Sequence, residues 1–520
     1  MRERITDWLV KWRYLLFGVW LVHVFLIHYF IIGFMSWDGF GHRGFPIIEL
    51  LKHGDLGKDK FDEWSLVGYT PFIELAHLPF LLIFKLRGLI IGFPLVVFPL
   101  CVGAVFAFVQ ELTGDKRAAT FGAFAFAAIP MINQQPFTGY IDFAVVGILA
   151  YWLFALLRLR HPERRGRALV RFGIATFLFT MARSQGPYVV VVMFPLLAFA
   201  LFCTRERWKV RVTEPRLVML AIVAVVIGMA PAVAIQIHKY IAYGSPVAPM
   251  ELSFLGIKLG KGVTMNQYFQ YAGLGGDDIT SLLHGFWDGW VWHAEWPLSA
   301  FYASRFVAAG LLFLVALVLS PVFARRATRL EWWILGAGAL VSLMSRDFAV
   351  PRWGYTTMLA ICLLIGRSMS VLTTTKSWRG AYGVVLVLLG VHLLRPELDI
   401  LQLQSRKWLS PQLNVVGSKR FINGGWTVEM YPDHDYKLAI LGATGNHFII
   451  QLYGKRLTND IVGTIPDTAL GPQCATLREL TAIRPEILYV DDADLTKDCP
   501  ERECVIKGPY CLGWRIQWPH

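Results

Sequence analysis

The sequence predicts an α-helical polytopic membrane protein of about eleven spans, followed by a small extracytoplasmic α/β domain. Three observations carry this. Of 520 residues, 55% are hydrophobic and only 17% are charged, with a mean hydropathy of +0.48; a water-soluble core of this length needs far less apolar side chain. The apolar residues gather into runs of membrane-crossing length. Beyond Arg395 the pattern changes to a polar tail with short apolar strands. The expected organisation is therefore a membrane domain over 1–394 with external loops at 35–87 and 243–299, then a separate domain over 395–520.

In chain order, the N-terminus places Arg2, Arg4, Lys11 and Arg13 before an apolar run that reaches Phe34 and has no small-residue cleavage site, as in a retained signal anchor. The apolar runs lie at about 13–35, 88–110, 118–135, 140–159, 187–203, 216–242, 300–323, 331–346, 351–370 and 379–394, with a shorter one at 169–183. Pro71–Phe84 is apolar too, but is short and carries Pro71, Glu74, His77 and Pro79. If it lies in the interface, the basic clusters at the N-terminus, Lys116–Arg117, Arg158–Arg171, Arg205–Arg216, Arg325–Arg329 and Arg367–Arg379 all face the cytoplasm. If it spans, the arginines between Arg158 and Arg171 face outward. The first assignment is the expected one, with a cytoplasmic N-terminus and an external tail in an inner (plasma) membrane.

The formal charge of +13 does not point to nucleic acid, because the basic residues sit in short clusters between apolar runs, the habit of cytoplasmic loops. Membrane lipid is the expected partner instead. Cys474, Cys499, Cys504 and Cys511 fall together in the external tail, where an even set reads as two disulfides. Zinc is disfavoured there by the lack of a Cys-x2-Cys pair.

The residues that can carry chemistry lie at external span ends. Asp38 closes the first span, in Ser36-Trp37-Asp38-Gly39-Phe40-Gly41-His42-Arg43, and Asp142 opens the fourth. Carboxylates at the edge of hydrocarbon are costly and mark function; one can take a proton from a hydroxyl, and the other can orient a substrate or a divalent cation. Each can alternatively be a helix N-cap. Arg183, Arg346 and Arg352 break the usual loop bias by lying outside, where a guanidinium suits an anionic phosphate; a salt bridge to Asp347 or lipid is the plainer reading. In the loop at 243–299, Trp287, Trp290, His293 and Glu295 interleave aromatic faces with polar groups, as a sugar cleft does, although tryptophans also serve as interface anchors. His42–His53 patterns as an interfacial amphipathic helix. In the tail, Tyr436–Gly442 and Pro485–Asp491 read as strands and Leu477–Ile483 as a helix between them.

Trp37-Asp38-Gly39 after the first span, Tyr69-Thr70-Pro71-Phe72, Thr113-Gly-Asp-Lys-Arg117, Asp142, Tyr243-Gly-Ser-Pro-Val-Ala-Pro249 and Arg352-Trp353 together resemble the GT-C superfamily of membrane glycosyltransferases. Protein mannosyltransferases and the lipid A aminoarabinose transferases are the nearest in layout, over most of residues 1–370. The resemblance implies an inverting transfer on the non-cytoplasmic face, from a polyprenyl-phosphate-linked sugar to a glycan, lipid or protein acceptor. It further implies Asp38 as general base, Arg352, Arg346 and Arg183 as donor-phosphate ligands, and His42, Arg43 and Tyr69 near the substrate. Tyr69-Thr70-Pro71 stands where the family has His-Pro-Pro, and Asp38 belongs to no D-x-D pair, which leaves the metal open. The alternatives are a related polymerase or ligase using lipid-diphosphate glycans, and a transporter or flippase of lipid-linked sugar. The latter calls for internal repeats that the sequence does not display.

Overall fold

The structure is a computed structural model. It describes residues 1–27, 44–55, 71–85, 88–138, 140–206, 209–246, 253–254, 257–258, 287, 290–291, 309–345, 354–375, 379–394, 437–441, 456–465, 486–490, 502–507 and 511–516. The chain divides into two compact units, one comprising Met1–His23, Val97–Pro136 and Ile141–Leu401, the other Val24–Val96, Phe137–Tyr140 and Gln402–His520.

The first unit is helical. Its elements are α1 (Arg2–Ile27, whose last residues belong to the second unit), then α5 (Phe98–Thr113), α6 (Lys116–Ala128), α7 (Pro130–Thr138), α8 (Asp142–Arg158), α9 (Arg165–Ala182), α10 (Gly186–Phe202), α11 (Pro215–Tyr243), α12 (Leu311–Ala324), α13 (Arg329–Ser345), α14 (Tyr355–Thr374) and α15 (Arg379–Leu393). The second unit holds α2 (Phe45–His53), α3 (Leu78–Phe84) and α4 (Gly88–Gly92). Among the described residues, four stretches are long and apolar enough to cross a membrane: Arg2–Ile27, Phe93–Thr113, Pro215–Tyr243 and Tyr355–Thr374. The protein is thus a membrane protein.

At the centre of the first unit lies α6. Ala118, Ala119, Phe121, Gly122, Ala125, Phe126, Ala127 and Ala128 are all buried, so the helix is apolar on every side and enclosed by others. It packs on α5 and α14. Apolar burial does little to join helices in lipid, and close van der Waals contact between small residues takes its place. A Cβ added to Gly366 would stand 2.5 Å from the Ala118 carbonyl oxygen and 2.9 Å from the Gly122 nitrogen, and one added to Gly147 on α8 would stand 2.4 Å from Cys101 Cβ on α5. These glycines set how near the backbones come.

The run expected as a single span at 118–135 is two helices. Ile129 takes φ −58° and ψ 120°, because the ring of Pro130 disfavours helical geometry in the residue before it. In place of a continuous crossing, α7 restarts and carries Asn133 and Gln135. A hairpin of β1 (Cys203–Glu206) and β2 (Lys209–Val212), not foreseen from the sequence, joins α10 to α11.

The acidic and basic side chains gather at one end of this unit. Arg117 Nη2 meets Asp7 at 2.7 Å, Glu111 takes Arg158 at 3.0 Å and His161 at 2.5 Å, and Arg165 meets Glu214 at 2.6 Å. Arg2 donates to the carbonyls of Leu372 and Thr375 at the end of α14, Ser370 donates to Asp115, and Arg367 pairs with Glu331 at 3.4 Å. These are the span ends that carry the basic clusters.

In the second unit, Phe45, Ile47 and Ile48 form the buried face of α2, and Gly54, at φ +80°, ends the helix by donating to the Leu50 carbonyl. A 3₁₀ turn, Ile73–His77, leads into α3. Together they cover Ile73–Phe84, too short to cross a bilayer, which takes about 20 residues. The His77 ring lies 4.0 Å from that of Phe93, in a π-helical turn, Phe93–Val97, after α4.

The tail contributes a five-stranded sheet from β5 (Lys437–Leu441), β6 (Asp460–Ile465), β7 (Ile487–Val490), β8 (Arg502–Lys507) and β9 (Cys511–Ile516), in the order β6-β5-β7-β9-β8. Strands β6 and β7 run parallel to β5, and β9 runs antiparallel to β7 and β8. The two strands expected from the sequence are parallel neighbours. The helix expected at Leu477–Ile483 falls outside the described residues. Cys504 pairs in register with Trp514, and Cys511 with Lys507, in the β8–β9 ladder, which sets the Cα atoms of these two cysteines roughly 10 Å apart along the strands.

The same unit joins α2 to β6. His53 Nε2 meets Asp460 Oδ1 at 2.8 Å, and Lys52 Nζ lies 3.3 Å from that oxygen while donating to the carbonyls of Leu457 and Asn459 at 3.1 and 2.5 Å. Burial works to raise the Asp460 carboxyl, but the His53 hydrogen bond and the Lys52 charge outweigh it and hold the group below its ordinary value. The stabilisation from a lowered carboxyl is present above its unfolded value of about 4 and is lost as pH falls through the lower folded value.

Gly366→Ala is expected to lower the thermal midpoint of the detergent-solubilised protein, since overpacking costs about 1–3 kcal/mol. Gly103→Ala on α5, where an added Cβ meets nothing within 4 Å, should leave it unchanged. Equal midpoints for the two variants would refute the close contact.

Candidate functional site

Opposite the charged end, the first unit carries a polar cluster assembled from the ends of five helices. Asp142 opens α8, yet it does not cap it: the cap residue is Ile141 and no side-chain cap bond is present. The carboxylate is 1% exposed and serves tertiary structure. Its Oδ1 pairs with Arg183 Nη1, and its Oδ2 accepts from Gln135 Nε2 at 3.0 Å. Gln135 Oε1 in turn accepts from the Phe143 backbone N–H at 2.6 Å. Gln135 thus ties α7 to the first turn of α8, and the positive end of the helix dipole favours a carboxylate there.

Arg183 follows α9 in the turn Ala182-Arg183-Ser184-Gln185. Gly186 N–H donates to the Arg183 carbonyl at 2.9 Å, and Gln236 on α11 donates to the Ser184 carbonyl at 2.8 Å. A Cβ on Gly186 would approach the Phe179 carbonyl oxygen to 2.5 Å, so glycine lets the chain fold back tightly enough to hold the arginine. The guanidinium lies over the Tyr355 ring, 5.4 Å from its centroid. Its orientation is thus set by a carboxylate at its edge and an aromatic on its face.

Tyr355 opens α14 and is 3% exposed; among the described residues its hydroxyl has no hydrogen-bond partner. The same holds for both amide atoms of Asn133, which is fully buried on α7, and for Gln185 Oε1. Buried polar atoms are normally satisfied, so this end is richer in hydrogen-bonding capacity than the chain's own described residues use. Thr356 Oγ1 donates to the Gly338 carbonyl at 3.1 Å and meets Ser342 Oγ at 2.7 Å, pinning α13 to α14 on either side of the segment that contains Arg346 and Arg352.

Of the residues singled out from the sequence, the structure brings Asp142 and Arg183 into direct contact. Trp290 is fully buried, 5.6 Å from the Phe313 ring, and Trp287 is 43% exposed. Asp38, His42, Arg43, Tyr69, His293, Glu295, Arg346 and Arg352 lie outside the described residues. Gln135, Gln236 and Tyr355 were not anticipated. Nor was Lys239, buried one turn beyond Gln236, although a lysine in an otherwise apolar 29-residue helix is itself a signal.

Removing Arg183 leaves the buried Asp142 charge with no cation among the described residues, at a cost of about 3–5 kcal/mol. Arg183→Ala should therefore lower the thermal midpoint sharply, and Asp142→Asn in the same chain should restore most of the loss. Additive losses in the double variant would show that the two charges are not coupled.

No protein-family profile and no curated protein sequence matches the chain. Solved structures do match it in fold. ArnT from Cupriavidus metallidurans in the apo state aligns over 98% of this chain and 98% of its own, with a TM-score of 0.57 at 13% identity. The same protein bound to undecaprenyl phosphate aligns over 97% and 98%, with a TM-score of 0.55 at 13% identity. The Archaeoglobus fulgidus oligosaccharyltransferase tethered to an acceptor peptide containing the NVT sequon aligns over 93% of this chain and 69% of its own, at a TM-score of 0.50 and 14% identity. The chain thus shares its fold with ArnT and with the oligosaccharyltransferase along nearly its whole length.

Proposed function

We propose that this chain is an inverting membrane glycosyltransferase that moves a sugar from a polyprenyl-phosphate donor to an acceptor hydroxyl on the non-cytoplasmic face of the inner membrane. The observation that carries the reading is Arg183, held by Asp142 and Tyr355 at the end of the helical unit from which the Arg346–Arg352 segment departs. A fixed guanidinium in low dielectric suits a phosphate through paired charge-assisted hydrogen bonds. The fold gives this chemistry a precedent, since ArnT shares it and was crystallised with undecaprenyl phosphate.

In this reading the chain crosses the membrane about eleven times, with the charged network at the cytoplasmic end, consistent with the positive-inside bias. The arrangement 1–394 and 395–520 stands as a membrane domain and an extracytoplasmic α/β domain, the parallel neighbours β5 and β7 supporting the latter. Asp38 is the general base that takes the acceptor proton. Arg352, Arg346 and Arg183 neutralise the phosphate as it leaves, where preorganised charge lowers the barrier without reorganisation. Asp142 acts by positioning Arg183. His42, Arg43, Tyr69, Trp287, His293 and Glu295 supply sugar contacts, and Trp290 backs them from the core.

A transfer assay with a polyprenyl-phosphate sugar tests the roles. Asp38→Asn should lower turnover by about two to four orders of magnitude with donor binding intact. Arg352→Ala should weaken donor binding roughly ten- to hundredfold, since a charge-assisted contact is worth about 1.5–3 kcal/mol; Lys should restore only part, lacking the guanidinium fork. Normal turnover in a folded Asp38→Asn chain overturns the base assignment.

An external tail also implies two disulfides among its four cysteines. The β8–β9 register supports pairings other than a direct Cys504–Cys511 bond, because bridged Cα atoms lie within about 7 Å. In this reading Cys474 and Cys499 are the partners. Peptide mapping of unreduced protein should find each of them joined to Cys504 or Cys511, and four free thiols would refute both the pairing and the external placement.

A further inference from the structure

We propose that Glu49, His53 and Asp460 form a binding site for one divalent transition-metal ion of the zinc class, which fastens α2 to β6. The carboxylates of Glu49 and Asp460 and the imidazole of His53 each present one ligand atom, all lying within 4.8 Å of one another. Glu49 and His53 are four residues apart on α2 and so share one face of the helix. His53 Nε2 stands 2.8 Å from Asp460 Oδ1 and 3.9 Å from Glu49 Oε1, so one imidazole nitrogen faces two carboxylates.

That is the donor set zinc takes, with nitrogen and oxygen ligands at about 2.0–2.2 Å and a fourth position open to water. Hard cations such as calcium and magnesium prefer oxygen alone, so the histidine selects for a transition metal. Around a tetrahedral ion at those bond lengths the ligand atoms lie about 3.4 Å apart, so the His53–Asp460 contact opens by roughly 0.5 Å to admit the metal while Glu49 closes from 3.9 Å. On binding, the metal takes the place of the proton between His53 Nε2 and Asp460; from a charged imidazolium that proton leaves to solvent, and from a neutral ring it is taken up at Nδ1 as the tautomer changes.

The surroundings fit a cation. Glu49 is fully buried, where a carboxylate near a metal keeps its charge. Lys52, 3.3 Å from Asp460 Oδ1, is anchored by the carbonyls of Leu457 and Asn459 and so is held to one side of the cluster. Asp460 Oδ2 and His53 Nδ1 accept and donate nothing among the described residues; the first leaves a lone pair for the metal and the second can take an outer hydrogen bond. Its residues belong to no role in the glycosyl-transfer reading, so the two proposals stand or fall apart.

Full-length protein in detergent, stripped with a chelator, is titrated with Zn²⁺ by calorimetry while bound metal is counted by mass spectrometry. Wild type should bind at least one equivalent. His53→Ala and Asp460→Asn should each bind one fewer, or bind that equivalent at least about a hundredfold more weakly, the upper end of what loss of an outer-shell partner costs. Replacing the four tail cysteines by serine, or Asp38 by Asn, should leave this equivalent in place. No zinc uptake, or equal stoichiometry and affinity in wild type and both variants, overturns the site. Because His53 and Asp460 are each about one-third exposed, their variants are expected to fold; zinc-dependent elevation of the thermal midpoint in wild type, absent from both, reads the same site independently.

Discussion

The close approach of α6 to α14 is the constraint on which the helical unit rests. Gly366 sits on the carbonyl of Ala118, and Gly122 faces the Cys362 carbonyl at a Cβ distance of 3.2 Å. Side chains with any bulk would open this seam, and in a bilayer no water is expelled to close it again. Beside the seam, fully buried Phe126 stacks on Phe98 of α5, and Trp152 of α8 packs against Phe172 and Phe179 of α9. With the centre fixed, the outer helices have defined places to dock: α1 through Thr6 to the Tyr382 hydroxyl at 2.9 Å and Trp20 to the Leu393 carbonyl at 2.8 Å, and α11 through Gly228 against α9.

The two ends of that unit spend charge differently. At one end, ion pairs are partly exposed and gain little individually; they take their meaning from position, holding the span ends in register. At the other, Asp142 and Arg183 are withdrawn from water, which is costly unless geometry is good and the remaining polar atoms are satisfied. Gln135 supplies that satisfaction by donating to the carboxylate and accepting from the α8 backbone. A pair so embedded contributes little to net stability, and its value lies in fixing where a cation points.

Much of this was legible in the sequence because membrane patterning is a coarse, strong signal. The runs at 140–159, 187–203 and 216–242 emerge as α8, α10 and α11 with ends displaced by a few residues, since hydropathy marks the bilayer and not the helix, which continues into polar flanks. Pro71–Phe84 was set apart by its length and prolines, and its helix is short. The run at 118–135 misled, because apolar content hid the single backbone constraint at Pro130. Asp142 and Arg183 stood out as charges at external span ends, but their pairing could not be read, as 41 residues and a turn separate them. Gln135, Gln236 and Tyr355 gave no signal, for a lone glutamine or tyrosine near a span end is common. In the tail, β5 and β7 were visible as apolar runs ahead of loops; β6, β8 and β9 mix polar and apolar residues and are held by their neighbours in the sheet.

The α6–α14 seam also bears on how the protein is made. Its two glycines lie 244 residues apart, and α6, at 13 residues, spans only about 20 Å as a helix, less than the hydrocarbon thickness of about 30 Å. At about 5–20 residues per second, the ribosome delivers α14 roughly 10–50 s after α6. During that interval the most enclosed helix of the finished unit has no permanent neighbour on the face that will receive α14, and its small side chains give lipid little to hold. The centre of the molecule is therefore among the last parts to be completed, and a chain released before α14 emerges lacks the contact that organises everything around it.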